Sequence, residues 1–157
     1  MAKIAKLEVQ VELKSSAERF FEIINCKQHL IPKISPDIVK DNKLIKGDLK
    51  SKNNNNTFIG FALLLLDKSE TAKHMVEELD EENKLITLKM IDGDVMKYYN
   101  NVKATFHVTG NMGQKGSLVK WTFEYEKMND NIPDPTKYAE LSSVIIKSID
   151  AYLIKNA

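Results

Sequence analysis

The stretch Ser117-Leu118-Val119-Lys120-Trp121-Thr122-Phe123-Glu124-Tyr125-Glu126-Lys127, followed by Pro133-Asp134-Pro135 and then by Tyr138, Leu141, Ile145, Ile149 and Tyr152, decides the fold. In its first part Val119, Trp121, Phe123 and Tyr125 alternate with Lys120, Glu124 and Glu126, the pattern of a strand with one buried face. The prolines then end the strand. Asp134 is placed as an N-cap with Pro135 at the first helical position. Apolar residues recurring every three or four positions predict a long amphipathic helix, with Lys137, Glu140, Lys147 and Asp150 on its outward side.

Upstream of this pair the texture is β. Segments at Ile38–Ile45, Thr57–Leu66, Thr71–Leu79, Leu85–Ile91 and Tyr98–Thr109 each carry strand-like patterning. Turn signals separate them: Asn53 to Asn56, Asp67-Lys68-Ser69, Glu82-Asn83, Asp92-Gly93-Asp94 and Gly110 to Gly116. Short turns between closely spaced strands predict an antiparallel meander. The glycines before Ser117 join two strands and open no helix, so they lack the setting of a phosphate-binding loop.

At the other end, Leu7, Val9, Val11 and Leu13 alternate with Glu8, Gln10 and Glu12, predicting a strand over Ile4 to Leu13. Ser15 and Glu18 have the spacing of a capping box, and Phe20, Phe21, Ile23 and Ile24 make the following short helix apolar on one side. A second short helix from about Gln28 stops before Pro36. The predicted order is strand, two short helices, six strands, long helix, in one α+β domain spanning residues 1–157. Seven antiparallel strands wrapped around one long C-terminal helix enclose more space than that helix fills. The two short helices would close the far end, so an internal cavity is expected.

Composition narrows the function. The chain has 157 residues, 43% hydrophobic and 29% charged, with a formal net charge of +1. Its lysines are spread along the chain, which gives no basic stripe for nucleic acid and no polybasic patch for stable membrane association. The longest apolar run, Phe61 to Leu66, is too short to span a bilayer, and the N-terminal residues lack the apolar run of a secretory signal. The single cysteine, Cys26, allows no internal disulfide and suits a reducing, cytoplasmic setting. Three scattered histidines and one cysteine provide no metal-ligand spacing, and no cofactor motif is present. No nucleophile–base–orienter motif is visible either.

Several motifs carry a family resemblance. The segment Ala2 to Leu13 is similar to the first strand of major latex proteins, and Lys46-Gly47-Asp48 to the start of their glycine-rich loop. Asp80 to Lys84 with Ile91-Asp92-Gly93-Asp94-Val95 resembles their central hairpin, Ser117 to Lys127 their last strand, and Asp150-Ala151-Tyr152-Leu153 the end of their long helix. The chain thus resembles the major latex protein branch of the plant Bet v 1 (pathogenesis-related class 10) superfamily along its whole length. One departure is the loop after Gly47, where Leu49-Lys50-Ser51-Lys52 and Asn53 to Asn56 stand in place of further glycines. Asparagine tolerates left-handed backbone and partly substitutes for glycine there.

The resemblance implies a helix-grip, START-like fold, an apolar small-molecule ligand, a monomer or weak dimer, and a link to defence or stress responses. Strand parity and the superfamily pattern together give the expected cavity wall. It comprises Phe20 and Phe21 from the short helices, His74, Val76, Ile86, Leu88, Met90, Tyr98 and Val102 from the strands, and Tyr138, Leu141, Ser142 and Ile145 from the long helix. Each of these also reads as plain core packing, and Trp121 and Phe123 read as core. His74, sharing parity with Ala72 and Val76, is the polar candidate for a ligand hydrogen bond or proton transfer. His29 and His107 read as surface residues. The leading expectation is a carrier of hydrophobic molecules. The alternative is an isomerase or condensing enzyme of alkaloid-type metabolism, with His74 and Tyr98 as its acid/base groups. A third reading is a protein-interaction module that ligand regulates through the Asn53–Asn56 loop.

Overall fold

A computed structural model describes residues 4–27, 30–35, 39–46, 57–65, 68–110 and 116–156, with side chains described apart from Cys26 and residues 39–72. The elements run β1 (Ala5–Leu13), α1 (Ala17–Cys26), α2 (Ile31–Ile34), β2 (Val39–Lys46), β3 (Thr57–Leu65), β4 (Lys68–Asp80), β5 (Leu85–Gly93), a 3₁₀ turn (Asp94–Lys97), β6 (Tyr99–Gly110), β7 (Ser117–Lys127) and α3 (Thr136–Lys155). The strands pair antiparallel in the order β1-β7-β6-β5-β4-β3-β2. Side chains are described in β1, in β4 from Lys73 onward, and in β5, β6 and β7. Residues 47–56, which hold the loop after Lys46 and its four asparagines, and His29 lie outside the described residues, as do the side chains that would define the inward face of β3.

Alternation drives the pairing of the first and last strands. Leu7, Val9 and Val11 stand opposite Phe123, Trp121 and Val119, so one face of both strands is continuously apolar. Val119, Trp121, Phe123 and Tyr125 are all buried. Trp121 stacks on Phe123 with ring centroids 5.3 Å apart, and Phe123 stacks in turn on Tyr138 of α3 at 5.9 Å. These rings join the helix to the sheet.

Bulges in β4 and β6 change which residues face inward. In β4 the register shifts between Val76 and Glu78; Glu77 and Glu78 are both exposed, and Leu79 turns back to the inner side. In β6 it shifts between Asn100 and Lys103, where Asn101 adopts φ 51°. An extra residue in one strand of a pair reverses parity beyond it. The expected set Tyr98, Asn100 and Val102 therefore does not share a face. Tyr98 is 46% exposed, whereas Tyr99 is buried together with Val102 and Ala104.

The helices are seated by polar contacts that differ from the expected ones. Ser16, not Ser15, caps α1, its Oγ accepting from the Arg19 amide at 3.3 Å. Ser15 is buried and is engaged by Asp150 of α3. Asp150 therefore faces the β1–α1 turn and not open water. Asp134 does not cap α3 through its side chain: its carboxylate accepts from the Tyr125 hydroxyl and pairs with Lys127 at 2.8 Å, holding the β7–α3 connection to β7. Asn25 of α1 donates to Glu81 in the β4–β5 turn at 3.4 Å, which places α1 over that hairpin.

Candidate ligand-binding site

The register assembles a continuous apolar surface on the inner side of four strands. His74 lies opposite Met90, and Val76 opposite Leu88, across β4 and β5. Leu88 then faces Ala104, and Ile86 faces Phe106, across β5 and β6; Phe106 pairs onward with Trp121 of β7. Val76, Ile86, Leu88, Val102 and Ala104 are buried, while Met90 and Phe106 are half-buried against this cluster. On the opposite face Thr87 and Thr105 exchange a hydroxyl hydrogen bond at 3.0 Å, and Lys103 pairs with Glu77 at 2.9 Å. Charge and apolar surface are thus sorted between the faces by period-two alternation.

Facing this surface is α3, whose backbone comes close to β1, α1 and α2. Tyr138, Ile146, Ile149 and Leu153 are its buried residues, with Leu141, Ser142 and Ile145 half-buried. The expected helical stripe omitted Ile146 and Leu153. Their signal was present as the i, i+4, i+7 series Ser142, Ile146, Ile149 and from there to Leu153. Phe20 and Phe21 of α1 are buried in the same core cluster. Tyr98, expected in the wall, is instead an exposed residue. Tyr99 takes the inward place, with its hydroxyl donating to the Pro133 carbonyl and its ring set edge-on to Tyr125 at 5.6 Å.

His74 is the polar member of the strand surface, with 9% of its area exposed. Burial makes the protonated imidazole costly and lowers its pKa from 6.5 to about 4. Near neutral pH the ring is therefore uncharged, with one nitrogen donating and the other accepting. A base this weak is a poor match for proton abstraction at neutral pH, whereas a neutral imidazole in apolar surroundings is well suited to orienting a hydrogen-bonding group.

A separate groove of about 220 Å³ lies between α1 and the C-terminal end of α3. It is lined by Arg19, Glu22, Ile23, Lys27, Leu30, Tyr152, Leu153 and Asn156, none of them a residue expected in the wall. Among the described residues no three His, Cys, Asp or Glu side chains gather as a metal site, and no helix is long and apolar enough to cross a membrane.

An antiparallel sheet carrying a long C-terminal helix on its apolar face, with two short helices inserted after the first strand, defines a helix-grip protein. The chain belongs to the pathogenesis-related protein Bet v 1 family, whose model matches residues 2–156, and within it to the major latex protein branch. MLP-like protein 43 of Arabidopsis thaliana is 30% identical over 151 residues, covering 96% of this chain and 94% of that protein. MLP-like protein 34 of the same plant is 35% identical over 148 residues, covering 94% of this chain but 46% of that protein, so the chain spans about half the length of some relatives. The crystal structure of ginseng major latex-like protein 151 from Panax ginseng superposes with a TM-score of 0.87 at 26% identity, covering 95% of this chain and 97% of that one. Norcoclaurine synthase from Thalictrum flavum, solved with dopamine and hydroxybenzaldehyde, gives a TM-score of 0.79 at 16% identity over 99% of this chain and 90% of its own. That last likeness is one of fold alone.

Proposed function

We propose that this chain is a single-domain, cytoplasmic carrier of hydrophobic small molecules, acting as a monomer or weak dimer in plant defence or stress responses. In this reading the sheet wraps α3 and leaves an interior cavity that α1 and α2 close. The observation that carries it is the unbroken apolar surface from Val76 through Leu88 to Val102 and Ala104, set with one neutral polar group, His74. Burial of a ligand against such a wall contributes about 25 cal/mol per Å² of apolar surface. A small number of polar groups then selects its orientation. The half-buried state of Met90, Phe106 and Ile145, on faces that otherwise pack inward, is what residual space beside them would produce.

The test is titration with an uncharged apolar fluorophore such as Nile red, comparing the native chain with Leu88→Trp. The larger ring should fill the interior and weaken binding at least tenfold while circular dichroism stays native. Undiminished binding to Leu88→Trp would place the fluorophore elsewhere and remove the support for an interior site.

An enzyme built on the same cavity is the second reading, in which the neutral His74 ring would hydrogen-bond and polarise a substrate group and not abstract a proton. Turnover abolished in His74→Ala with affinity retained would support catalysis. Equal loss of binding, with no turnover in the native chain, supports the carrier.

A further inference from the structure

We infer that the hydroxyl of Ser35 is a polar anchor for the ligand at the closing end of the interior site, and that the ligand presents a hydroxyl or carbonyl there; this rests on the carrier reading above. Ser35 follows the last residue of α2, and its amide donates to the Ile31 carbonyl at 2.8 Å, ending that helix. The residue is 5% exposed, and its Oγ is buried with no hydrogen-bond partner. It is the sole buried side-chain oxygen or nitrogen among the described residues in that state. The other buried serines show the contrast: Ser15 Oγ donates to Asp150 and Ser117 Oγ to the Ser15 carbonyl.

A hydroxyl removed from water without a partner is unfavourable, and native proteins rarely leave one so. The usual relief for a serine at a helix end is a bond to a carbonyl of the preceding turn, which Ser35 does not make. Its position argues for a partner from outside the chain. The helix it ends packs against both β2 and α3, the sheet side and the helix side of the proposed cavity. An apolar molecule lying along Leu88 and Val102 with a hydroxyl or carbonyl toward α2 would complete the Ser35 bond, while His74 serves a second polar atom.

The experiment compares 1-naphthol with naphthalene as probes of the full chain and of Ser35→Ala, using isothermal titration together with thermal melts of the unliganded proteins. One net hydrogen bond corresponds to about a three- to tenfold change in affinity. The native chain should prefer 1-naphthol. Ser35→Ala should lose that preference, with naphthalene binding kept within about twofold and the unliganded melting temperature unchanged or raised. Equal effects on both probes, or none, would overturn the inference and leave the interior site standing. A lowered melting temperature with probe affinities intact would assign the hydroxyl to bound water and likewise overturn it. Binding of neither probe to the native chain would count against the interior site itself, and the anchor would fall with it.

Discussion

The Asp150 carboxylate of α3 clasps Ser15 at the β1–α1 turn through two bonds, accepting from its amide at 2.9 Å and from its hydroxyl at 2.6 Å. The second carboxylate oxygen accepts from the neighbouring Lys14 amide at 3.0 Å. Residues 135 positions apart are thereby fixed on one another, and two backbone N–H groups that neither β1 nor α1 can pair are satisfied. Ser117 adds to this junction from β7, its hydroxyl donating to the Ser15 carbonyl at 3.0 Å. The first strand, the first helix, the last strand and the last helix meet at this turn.

Asp150→Ala should therefore cost about 2–3 kcal/mol, since it removes a charged acceptor and leaves part-buried donors unpaired. Asp150→Asn keeps one carbonyl acceptor and should cost about half as much. Urea unfolding followed by the fluorescence of the single tryptophan, Trp121, reads both. Equal stability of Asp150→Ala and the native chain would show that water replaces the carboxylate without loss.

The serine pair gives a second expectation. Ser16→Ala removes the helix cap and should cost about 1 kcal/mol. Ser15→Ala removes a charge-assisted bond to Asp150 and should cost more, about 1.5–3 kcal/mol. The reverse ranking would return the cap to Ser15, the assignment that residue spacing alone suggests.

Spacing is a local signal, and this is where its reach ended. Alternation in Val119 to Tyr125 and in Leu7 to Leu13 was readable because every second residue is apolar and no bulge intervenes. The helix Thr136–Lys155 was readable for the same reason at its own period. The roles of Ser15, Asp134 and Asp150 were not, because each is decided by a partner far along the chain or across a turn, and a capping residue looks the same in sequence whether it caps or not. Tyr98 was misplaced for a subtler reason. A strand read with uniform parity places it inside, but Asn101 takes a left-handed conformation and absorbs one residue. Asparagine is among the few residues that enter this region readily, so Asn100-Asn101 was the available signal. Strand parity anticipated the burial of His74, Val76, Ile86 and Leu88 because the bulge in β4 comes only after Val76.

The bulge makes adjacent tyrosines unequal. Tyr98→Ala, on an exposed residue, should change stability by no more than about 0.5 kcal/mol and leave ligand affinity unaltered. Tyr99→Phe should cost about 1 kcal/mol through the lost bond to the Pro133 carbonyl, and Tyr99→Ala about 3–5 kcal/mol through the cavity left beside Tyr125. Thermal or urea unfolding of the three variants distinguishes them. A severe effect at Tyr98 with little at Tyr99 would mean that β6 runs in the unbulged register.

His74 gives the fold a pH dependence whose sign follows from its burial. The folded chain holds the imidazole at a pKa of about 4, below its ordinary 6.5. Above about pH 6.5 both folded and unfolded chains carry it neutral, and its contribution is fully present. As pH falls below 6.5 the unfolded chain takes up a proton that the folded chain refuses, so stability declines until the folded pKa is reached. At about 1.4 kcal/mol per pKa unit the full loss approaches 3 kcal/mol by about pH 4. The carboxyls of Asp80 and Asp134 are also held below their ordinary values, Asp80 by hydrogen bonds from Asn83 and Asp134 by its bond to Lys127 and then by the Tyr125 hydroxyl, but their ordinary pKa is 3.8. Their contributions are lost at lower pH than that of His74, so they do not overlap it between about pH 5 and 6.5. In His74→Gln, urea unfolding across that interval should show a flatter profile, while the native chain loses about 2 kcal/mol. Parallel profiles for the two proteins would mean that the ring protonates as easily in the folded chain as in the unfolded one, and that His74 is not the buried, neutral group on which ligand orientation depends.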